Sequence, residues 1–479
     1  MREFAGRAME MLRRKGADYG DIRVVKRQSE QLEVKNGRTE SVSSDREEGF
    51  GVRVIVRGCW GFAAGSVVSE EELARVVTLA IEIARASGKV AGERVKLAPV
   101  KPEVATWSNV VRRSPFEVGL AEKLELMMRA DEGLRSNKAV KLAQVFLSAF
   151  YTDKTFASTE GAFIQQHITE CGGGLAATAI ENGQMQVRSY PNSFRGNFGT
   201  AGWEYIEEMD LAGNAPRVAA EVGELIAAEP CPAGKKTIII DGPQLALQVH
   251  ESIGHAIELD RILGMEASYA GTSFVSPEML GKFQYGAPIV NVVADATVPG
   301  GLGSFGYDDE GVKSERTEII TGGKLMGLLT SRQTAQVIGQ RSNGTMRADG
   351  ASRIPLIRMT NINLEPGTWK LADLIADTKD GILLSVNRSW SIDDRRVNFQ
   401  FGTELAREIK NGKLGQIFRN PTYTGITPEF WGSCDAICGA AEWRMWGTPN
   451  CGKGEPSQMM HVGHGTAPAR FRNVEVGSA

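Results

Sequence analysis

Two histidines and a glutamate stand close together in residues 250–255, which read His-Glu-Ser-Ile-Gly-His. Their spacing constrains the backbone, because it is one residue longer than the i, i+4 interval that aligns two side chains on a helix. At about 3.6 residues per turn, positions i and i+5 lie about 140° apart, so a regular helix would aim the two rings at different sides. A π-bulge absorbs one extra residue and returns both rings to one face. We therefore expect a π-bulge here, with Gly254 as the residue where the local loosening costs least.

The residues around this motif predict a strand that leads into a helix. The apolar run 236–240 is of strand type, and Asp241-Gly242-Pro243 offers an N-cap with proline near the first turn. Apolar residues then recur at every fourth position, at Leu245, Val249, Ile253 and Ile257. This buried stripe leaves His250, Glu251 and His255 free to face a cleft. The two imidazoles indicate zinc ligation, with a purely structural pair of helix histidines as the alternative.

A third zinc ligand has to come from elsewhere, because catalytic zinc usually takes three protein ligands and a water. The candidates are Glu258, Asp260, Glu266, Cys434, Cys438, Cys451, His461 and His464. Cys434 and Cys438 lie in an apolar, aromatic stretch that is more typical of a core than of a metal clip. Cys451 lies in a loop whose glycines allow close backbone approach, and the nearby Lys453 would favour a thiolate. His461 and His464 could assist the chemistry or be structural.

The adjacent carboxylates Asp308, Asp309 and Glu310 could bind a second cation. Consecutive side chains on an extended segment point to opposite faces, however, so all three cannot ligate one ion. We expect a turn or a supporting role for them, with a direct part in catalysis as the alternative. His167 lies in a strand-like segment far along the chain from the motif, and we expect it to be satisfied or exposed.

The composition is that of a soluble globular protein, with 479 residues, enough for two or more domains, and 42% of them hydrophobic. A net charge of -3 gives no general attraction to nucleic acid. The sequence has no apolar run near the roughly 20 residues that span a bilayer and no signal-peptide stretch at its start, so we expect a cytoplasmic protein. The cysteines are too few and too scattered to suggest a disulfide framework.

The first half of the chain predicts alternating strands and helices. We expect a helix ending near Gly16, strands at 21–27, 31–34 and 50–56, turns at Asn36-Gly37 and Arg57-Gly58, and a helix from a capping box at 69–72 to Ser87, stopped by Gly88. A second round would comprise a helix over 114–134, a strand over 140–150, a turn at 151–154, a hairpin at Asn182-Gly183 and a helix over 216–228.

Residues 229–234 carry two prolines and a glycine, fit neither a helix nor a central strand, and give the best domain boundary. In the second half we predict strands at 289–294 and 356–364, hairpins at Gly322-Gly323 and Asn411-Gly412, and a helix at 371–375. The fold class is α+β. An N-terminal domain (1–231) would hold an antiparallel sheet with helices, and a β-rich C-terminal domain (232–479) would carry the metal-site helix.

Four segments carry a family resemblance: the His-Glu motif of residues 250–255, the acidic segment 306–311, Arg358-Met359-Thr360-Asn361, and Cys451-Gly452-Lys453-Gly454. They occur in the order and at about the separations of the TldD/PmbA family, and the chain resembles the catalytic TldD-type member over essentially its whole length. The His-Glu pattern with the late Cys-Gly-Lys is specific, whereas the other two segments are supportive. Gly454-Glu455-Pro456 departs from the polar, flexible continuation expected after Cys-Gly-Lys.

The resemblance implies a zinc metallopeptidase with one zinc per chain, held by His250, His255 and Cys451, and with Glu251 as general base. It also implies a dimer, of two identical chains or with an inactive sister subunit that lacks the motif, and a substrate that is an extended peptide. Two other functions stay open. A non-catalytic scaffold with structural zinc would have no use for Glu251, and a cysteine hydrolase using Cys451 would leave His250 and Glu251 unexplained.

Overall fold

The N-terminal part of the chain folds around one mostly antiparallel sheet with helices packed on it; the computed structural model describes residues 1–90, 92 and 94–478. In chain order its elements are α1 (Arg2–Arg14), β1 (Tyr19–Lys35), β2 (Arg38–Val56), β3 (Cys59–Gly65), α2 (Glu70–Ser87), β4 (Val104–Ser108), α3 (Leu120–Leu134), β5 (Val140–Ser158), β6 (Phe163–Glu181), β7 (Gln184–Tyr190), β8 (Asn197–Gly199), α4 (Glu204–Glu208) and α5 (Leu211–Ala227). The strand order is β3-β2-β1-β5-β6-β4, and β7 and β8 also pair with β6. Only the pairing of β4 with β6 is parallel among these described strands.

Turns between the long strands follow the local sequence. Asn36-Gly37 has φ angles of 47° and 76°, the left-handed values that a tight hairpin turn requires. Asn182-Gly183 repeats this geometry with φ angles of 48° and 77°. Helix α2 begins as predicted, because the Ser69 side chain accepts the backbone N–H of Glu72, and the helix ends just before Gly88. Local turn and cap chemistry therefore sets these boundaries.

Several predicted boundaries are wrong. The strands predicted at 21–27 and 31–34 are one strand, β1, and helix α5 begins at Leu211 and not at residue 216, because the Asp210 side chain accepts the backbone N–H of Gly213 and caps the helix there. Strand β5 continues through 151–154, where the sequence predicts a turn. These residues pair on both sides, with Asp153 opposite Lys26 of β1 and His167 of β6, so pairing within the sheet outweighs the local turn preference. Helix α3 begins later than predicted, because the Ser114 side chain accepts the backbone N–H of Phe116 in a turn before the helix.

The C-terminal part of the chain is richer in strands, as predicted, and the fold is α+β throughout. Its elements are β9 (Glu229–Pro230), β10 (Gly234–Ile240), α6 (Gly242–Val249), α7 (Leu259–Ile262), α8 (Ala267–Ala270), β11 (Val292–Asp295), β12 (Arg316–Thr321), β13 (Lys324–Leu325), α9 (Arg332–Val337), β14 (Met346–Arg347), β15 (Leu356–Ile357), β16 (Ile362–Leu364), α10 (Leu371–Asp377), β17 (Asp380–Ile392), β18 (Asn398–Lys410), β19 (Lys413–Arg419), β20 (Pro421–Ile426), α11 (Thr427–Gly432), β21 (Cys434–Ile437), β22 (Arg444–Lys453), β23 (Gln458–Thr466) and β24 (Ala469–Ser478). The main sheet runs β17-β10-β24-β20-β18-β19-β9, and a further pairing of β17 with β18 closes five of these strands into a ring.

The turns at Gly322-Gly323 and Asn411-Gly412 join β12 to β13 and β18 to β19, as predicted. The predicted strand over 356–364 is divided into β15 and β16. Between these two short strands, Met359 instead packs against Gly254 of the His-Glu motif, and Arg358 donates to the backbone oxygen of Cys451. One large apolar core fills the C-terminal part and includes Ile253 and Cys451. Among the described residues, no helix combines the length and apolar character needed to cross a membrane.

Candidate metal centre

The backbone at the His-Glu motif has the predicted π geometry. Strand β10 leads into α6, where the Asp241 side chain accepts the backbone N–H of Gln244 and caps the helix. Helix α6 ends at Val249, and a π-turn spans His250–Gly254. The extra residue of the spacing is absorbed there, which places the two histidine rings next to each other.

Gly254 is required by packing and not by its backbone conformation, since its φ of -53° and ψ of -55° are ordinary helical values. A Cβ atom at this position would lie 2.1 Å from the Sδ of Met359, far inside van der Waals contact. Met359 is itself fully buried in the C-terminal core. The Met-Thr-Asn segment noted in the sequence therefore supports the π-turn from behind.

His250, His255 and Cys451 come together at this turn. Their potential ligand atoms all lie within 4.8 Å of one another, and all three residues are buried. The Nε2 of His255 is 3.7 Å from the Sγ of Cys451, and the two histidine rings are nearly perpendicular, at 88°. Bond lengths to zinc imply donor separations of about 3.3–3.6 Å in a tetrahedral site, so the three donors fit one ion after a small contraction.

The ionisation states also fit a metal. Burial lowers the pKa of His255 well below its usual value and lowers that of His250, so both rings are neutral with a free lone pair. Burial raises the pKa of the Cys451 thiol, but Arg358 and His255 outweigh it, and the net pKa lies below the ordinary value. A cysteine with a lowered pKa is available as a thiolate ligand.

Lys453 does not act on Cys451 as the sequence predicts. Its ammonium is completely buried, 2.8 Å from Asp260, 3.3 Å from Glu258 and 3.7 Å from Glu266. The charge beside the thiol is that of Arg358, which donates to the backbone oxygen of Cys451. The lysine of the Cys-Gly-Lys segment thus balances a cluster of carboxylates under the site.

Two other candidate ligands contact the far side of the histidine rings. The Nδ1 of His255 is 2.9 Å from the Oε2 of Glu258, and the Nδ1 of His250 is 2.8 Å from the Nε2 of His464. Both partners are completely buried. In each ring, Nε2 is therefore the nitrogen left to face Cys451.

The remaining candidates lie outside the cluster. Asp260 and Glu266 face Lys453, and His461 binds Glu170 at 2.9 Å, away from the two motif histidines. Cys434 and Cys438 are free thiols in the apolar core, in agreement with the sequence prediction.

Glu251 has an unpredicted partner. Its buried carboxylate accepts a hydrogen bond from Nη1 of Arg396, with Oε2 2.9 Å away. Arg396 lies in the turn between β17 and β18 with a left-handed φ of 65°, and its Nε has no hydrogen-bond partner within the described chain. Nothing in the local sequence signals this residue, because its contact with Glu251 depends on how distant strands pack.

The acidic segment 306–311 is buried, and each of its three carboxylates has hydrogen-bond or ion-pair partners. Asp308 accepts backbone N–H groups from Glu310, Val312 and Met346. Asp309 pairs with Lys154 of β5 at 2.7 Å. Glu310 pairs with Arg53 of β2 at 3.2 Å, so the segment ties the N-terminal sheet to the C-terminal part. His167, also separate from the centre, is partly exposed beside Tyr151.

Clefts run behind the hairpin that carries Cys451. One of about 510 Å³ is lined by strands of the N-terminal sheet and by Met460, the register partner of Cys451. Another of about 460 Å³ adjoins it at Phe150 and His461 and is bordered by Pro449 and Asn450. The described lining of these two clefts includes none of His250, Glu251, His255 and Cys451, so the pairing of Met460 with Cys451 is what relates the larger cleft to the cluster.

An α+β fold with a buried His/His/Cys cluster and an adjacent glutamate defines a class of metal-binding hydrolase sites. Family models described as the PmbA/TldA metallopeptidase domain 1, central domain and C-terminal domain match residues 20–84, 113–228 and 233–478. The chain belongs to the TldD/PmbA metallopeptidase family.

Individual relatives align with this chain over most of their own length. A metalloprotease from Methanocaldococcus jannaschii is 32% identical over 88% of this chain and 89% of its own. A metalloprotease TldD homologue from Haemophilus influenzae is 24% identical over 98% and 94%. A solved structure described as a proposed modulator of a DNA gyrase from Thermotoga maritima has a TM-score of 0.79 at 17% identity, covering 99% of both chains. TldE from Thermococcus kodakarensis has a TM-score of 0.74 at 16% identity, covering 98% and 100%.

Proposed function

We propose that this metallopeptidase uses one zinc ion per chain, held by His250, His255 and Cys451, to hydrolyse extended peptides. The observation that carries the proposal is the convergence of two neutral imidazoles and a low-pKa thiol within 4.8 Å, with Glu251 beside them. Two nitrogen donors and one sulfur donor suit zinc, and three ligands leave a position open for chemistry.

The protein's own residues then have distinct tasks. When bound, zinc would act as a Lewis acid and lower the pKa of water to about 7. Glu251 accepts the proton of the attacking water and returns it to the leaving amine. Arg396 holds Oε2 of Glu251, so Oε1 is the oxygen left to take the proton. Because the site is buried, bulk water is excluded from both transfers.

The clefts behind Cys451 support an extended substrate. Both are lined by His461 of β23, and the one of about 460 Å³ is also lined by Pro449 and Asn450, where the pairing of β22 with β23 is interrupted between Thr448 and Cys451. Strand residues outside a regular ladder have free N–H and C=O groups that can pair with a peptide. Unfolded peptides should therefore be cut with broad sequence tolerance, and compact proteins should be spared.

The test separates the metallopeptidase from its two rivals. Glu251→Gln should abolish peptide hydrolysis with the zinc content unchanged, and Cys451→Ala should lower zinc affinity, whereas the core control Cys434→Ala should keep both. Zinc content is measured after dialysis at limiting free metal. Hydrolysis that persists without metal and is blocked by alkylation would support the cysteine hydrolase, and bound zinc without hydrolysis would support the scaffold.

We also propose that two copies of this chain associate through β2. Strand β3 covers β2 only over 50–56, so 38–48 form an outer edge of the sheet, and all these residues are exposed. An antiparallel pairing of two such edges about Ser43 places Arg38 opposite Glu48 and Glu40 opposite Arg46. The edge is thus complementary in charge to itself, as a two-fold interface requires.

Charge exchange tests this interface. Glu40→Arg should weaken the dimer about tenfold or more, because two attractive pairs become repulsive, and adding Arg46→Glu should restore it. Light scattering over a concentration series gives the molar mass. If Glu40→Arg left the dimer affinity unchanged, the 38–48 edge of β2 would not be the interface. If the chain were a monomer that assembled only with a different chain, the partner would be a sister subunit.

The domain division at 231/232 stays our proposal. Strands β1–β8 belong to the first sheet and β10 onward to the other sheets, whereas β9, just before the boundary, pairs with β19. The cytoplasmic location stays a prediction from the sequence.

A further inference from the structure

His464 lies beside the candidate metal centre with a partner on each ring nitrogen. It is completely buried on β23. Its Nε2 is 2.8 Å from the Nδ1 of His250, and its Nδ1 is 3.2 Å from the backbone oxygen of Ile362. The rings of His464 and His250 meet at 75° with centroids 4.8 Å apart, an edge-on approach that suits a hydrogen bond between ring nitrogens.

These contacts determine where the protons are. A carbonyl oxygen can only accept, so the Nδ1 of His464 carries its hydrogen and donates to Ile362. A completely buried imidazole with these two neighbours stays neutral, which leaves the Nε2 of His464 as an acceptor. The Nδ1 of His250 therefore donates to it. A neutral His250 protonated at Nδ1 has its lone pair on Nε2, the atom that faces Cys451.

We propose that His464 is a positioning residue that fixes the tautomer and ring orientation of His250, and so prepares its Nε2 to bind the metal. The inference rests on the proposed metal site. The second motif histidine is oriented differently, because His255 donates to the carboxylate of Glu258 at 2.9 Å. One ligand thus has a charged partner and the other a neutral one, which keeps the charge of the buried site down.

The backbone around His464 is held firmly enough for this task. The N–H of Gly463 donates to the oxygen of Thr360 at 3.1 Å, and the N–H of Gly465 donates to the side chain of Asn363 at 2.7 Å. These two bonds flank His464 and hold β23 against β16 and against Thr360, which lies just before β16. In the sequence, Ile362 lies between Thr360 and Asn363, the two residues that accept these bonds. The carbonyl oxygen that accepts from His464 is therefore held in place, and with it the direction of both hydrogen bonds of His464.

A matched pair of substitutions tests the proposal. In His464→Gln the amide oxygen reaches the position of Nε2 and can accept from His250, whereas in His464→Asn the shorter amide reaches only Ile362. We expect the Asn variant to bind Zn²⁺ about 10–100-fold more weakly than the parent, and the Gln variant to remain within about threefold. Competition with a chelator gives the affinities, and the absorption of the Co²⁺-loaded protein reports the ligand geometry.

A second measurement does not depend on metal. Nitrogen-15 NMR of labelled histidines in the metal-free protein distinguishes protonated from bare ring nitrogens. The parent and the Gln variant should show His250 protonated at Nδ1, and the Asn variant should show a mixture of tautomers. Because this readout precedes metal binding, it stands even if zinc or peptide hydrolysis is not found, so failure of the proposed function is recognised separately.

The proposal is overturned by any of three results. His250 protonated at Nε2 in the metal-free parent would contradict the hydrogen-bond direction. Equal loss of Zn²⁺ affinity in the Gln and Asn variants would indicate a merely structural role. Unchanged affinity in the Asn variant, with a parent-like Co²⁺ spectrum, would show that His250 needs no partner at Nδ1. Thermal unfolding of each variant confirms that the folded protein is being compared.

Discussion

Removing the buried charge of Lys453 should destabilise the whole C-terminal part of the protein. The ammonium lies 2.8 Å from Asp260 and 3.3 Å from Glu258, and Glu266 is 3.7 Å away. Lys453→Met keeps the length of the side chain but leaves the three carboxylates with less positive charge. Breaking a buried ion pair by removing one partner costs about 3–5 kcal/mol. We expect the free energy of unfolding to fall by about that amount.

Urea unfolding followed by tryptophan fluorescence measures the change. The matched control is Lys413→Met on β19, an exposed lysine for which an effect within about 0.5 kcal/mol is expected. Adding Asp260→Asn to Lys453→Met removes the carboxylate nearest to the lost ammonium, 2.8 Å away, and should recover about 1–3 kcal/mol. If Lys453→Met cost no more than Lys413→Met, or if adding Asp260→Asn deepened the loss, the ammonium would not be what balances these carboxylates.

Further predictions concern the π-turn and the pH dependence of stability. Gly254→Ala should lower stability by about 1–3 kcal/mol and weaken metal binding, because its Cβ would displace Met359; Gly6→Ala, in a helix position with open space, should raise stability by about 0.5–1 kcal/mol. Equal effects in the two variants would contradict the packing account. Burial raises the pKa of Glu266 from 4.5 to about 7, so the folded protein holds a proton there that the unfolded chain has lost. The free energy of stabilisation that Glu266 contributes is fully present below about pH 4.5 and is lost as the pH rises through about 7. In Glu266→Gln this loss should be absent, so the free energy of unfolding, measured by urea titration at each pH, should decline less steeply. A parent and variant with parallel pH profiles would contradict this assignment.

The sequence predicts the features that depend on neighbouring residues. The π-turn follows from helix geometry alone, since the His250 to His255 interval cannot fit a regular helix with both rings on one face. The hairpins at Asn36-Gly37 and Asn182-Gly183 follow from the low cost of left-handed backbone for these residues. The α+β fold class follows from the number of hairpin turns and helix caps that the sequence predicts along the chain.

The features that depend on residues far apart in sequence escape this reasoning. The partner of Glu251 is Arg396, and the group that lowers the thiol pKa of Cys451 is Arg358, each brought in by a different chain segment. A lysine two residues from a cysteine looks like its charge partner, because alternate residues of a strand share a face. The pairing is regular from Cys451 to Lys453, but the ammonium at the end of the long Lys453 side chain is held by Asp260, 2.8 Å away, and the charge beside the thiol is that of Arg358.

The buried charges explain how such a site keeps its shape. An ion pair in the interior gains little stability, since desolvation of both groups offsets their attraction. Each charge must nevertheless keep its partner, because leaving it alone is costly, and that requirement fixes the relative position of the segments that carry the pair. Glu310 with Arg53 and Asp309 with Lys154 hold the N-terminal sheet against the C-terminal part. The cleft of about 510 Å³ is lined by residues of both parts, with Lys154 and Asp309 among them, so this ion pair joins the two walls of the cleft and fixes the distance between them.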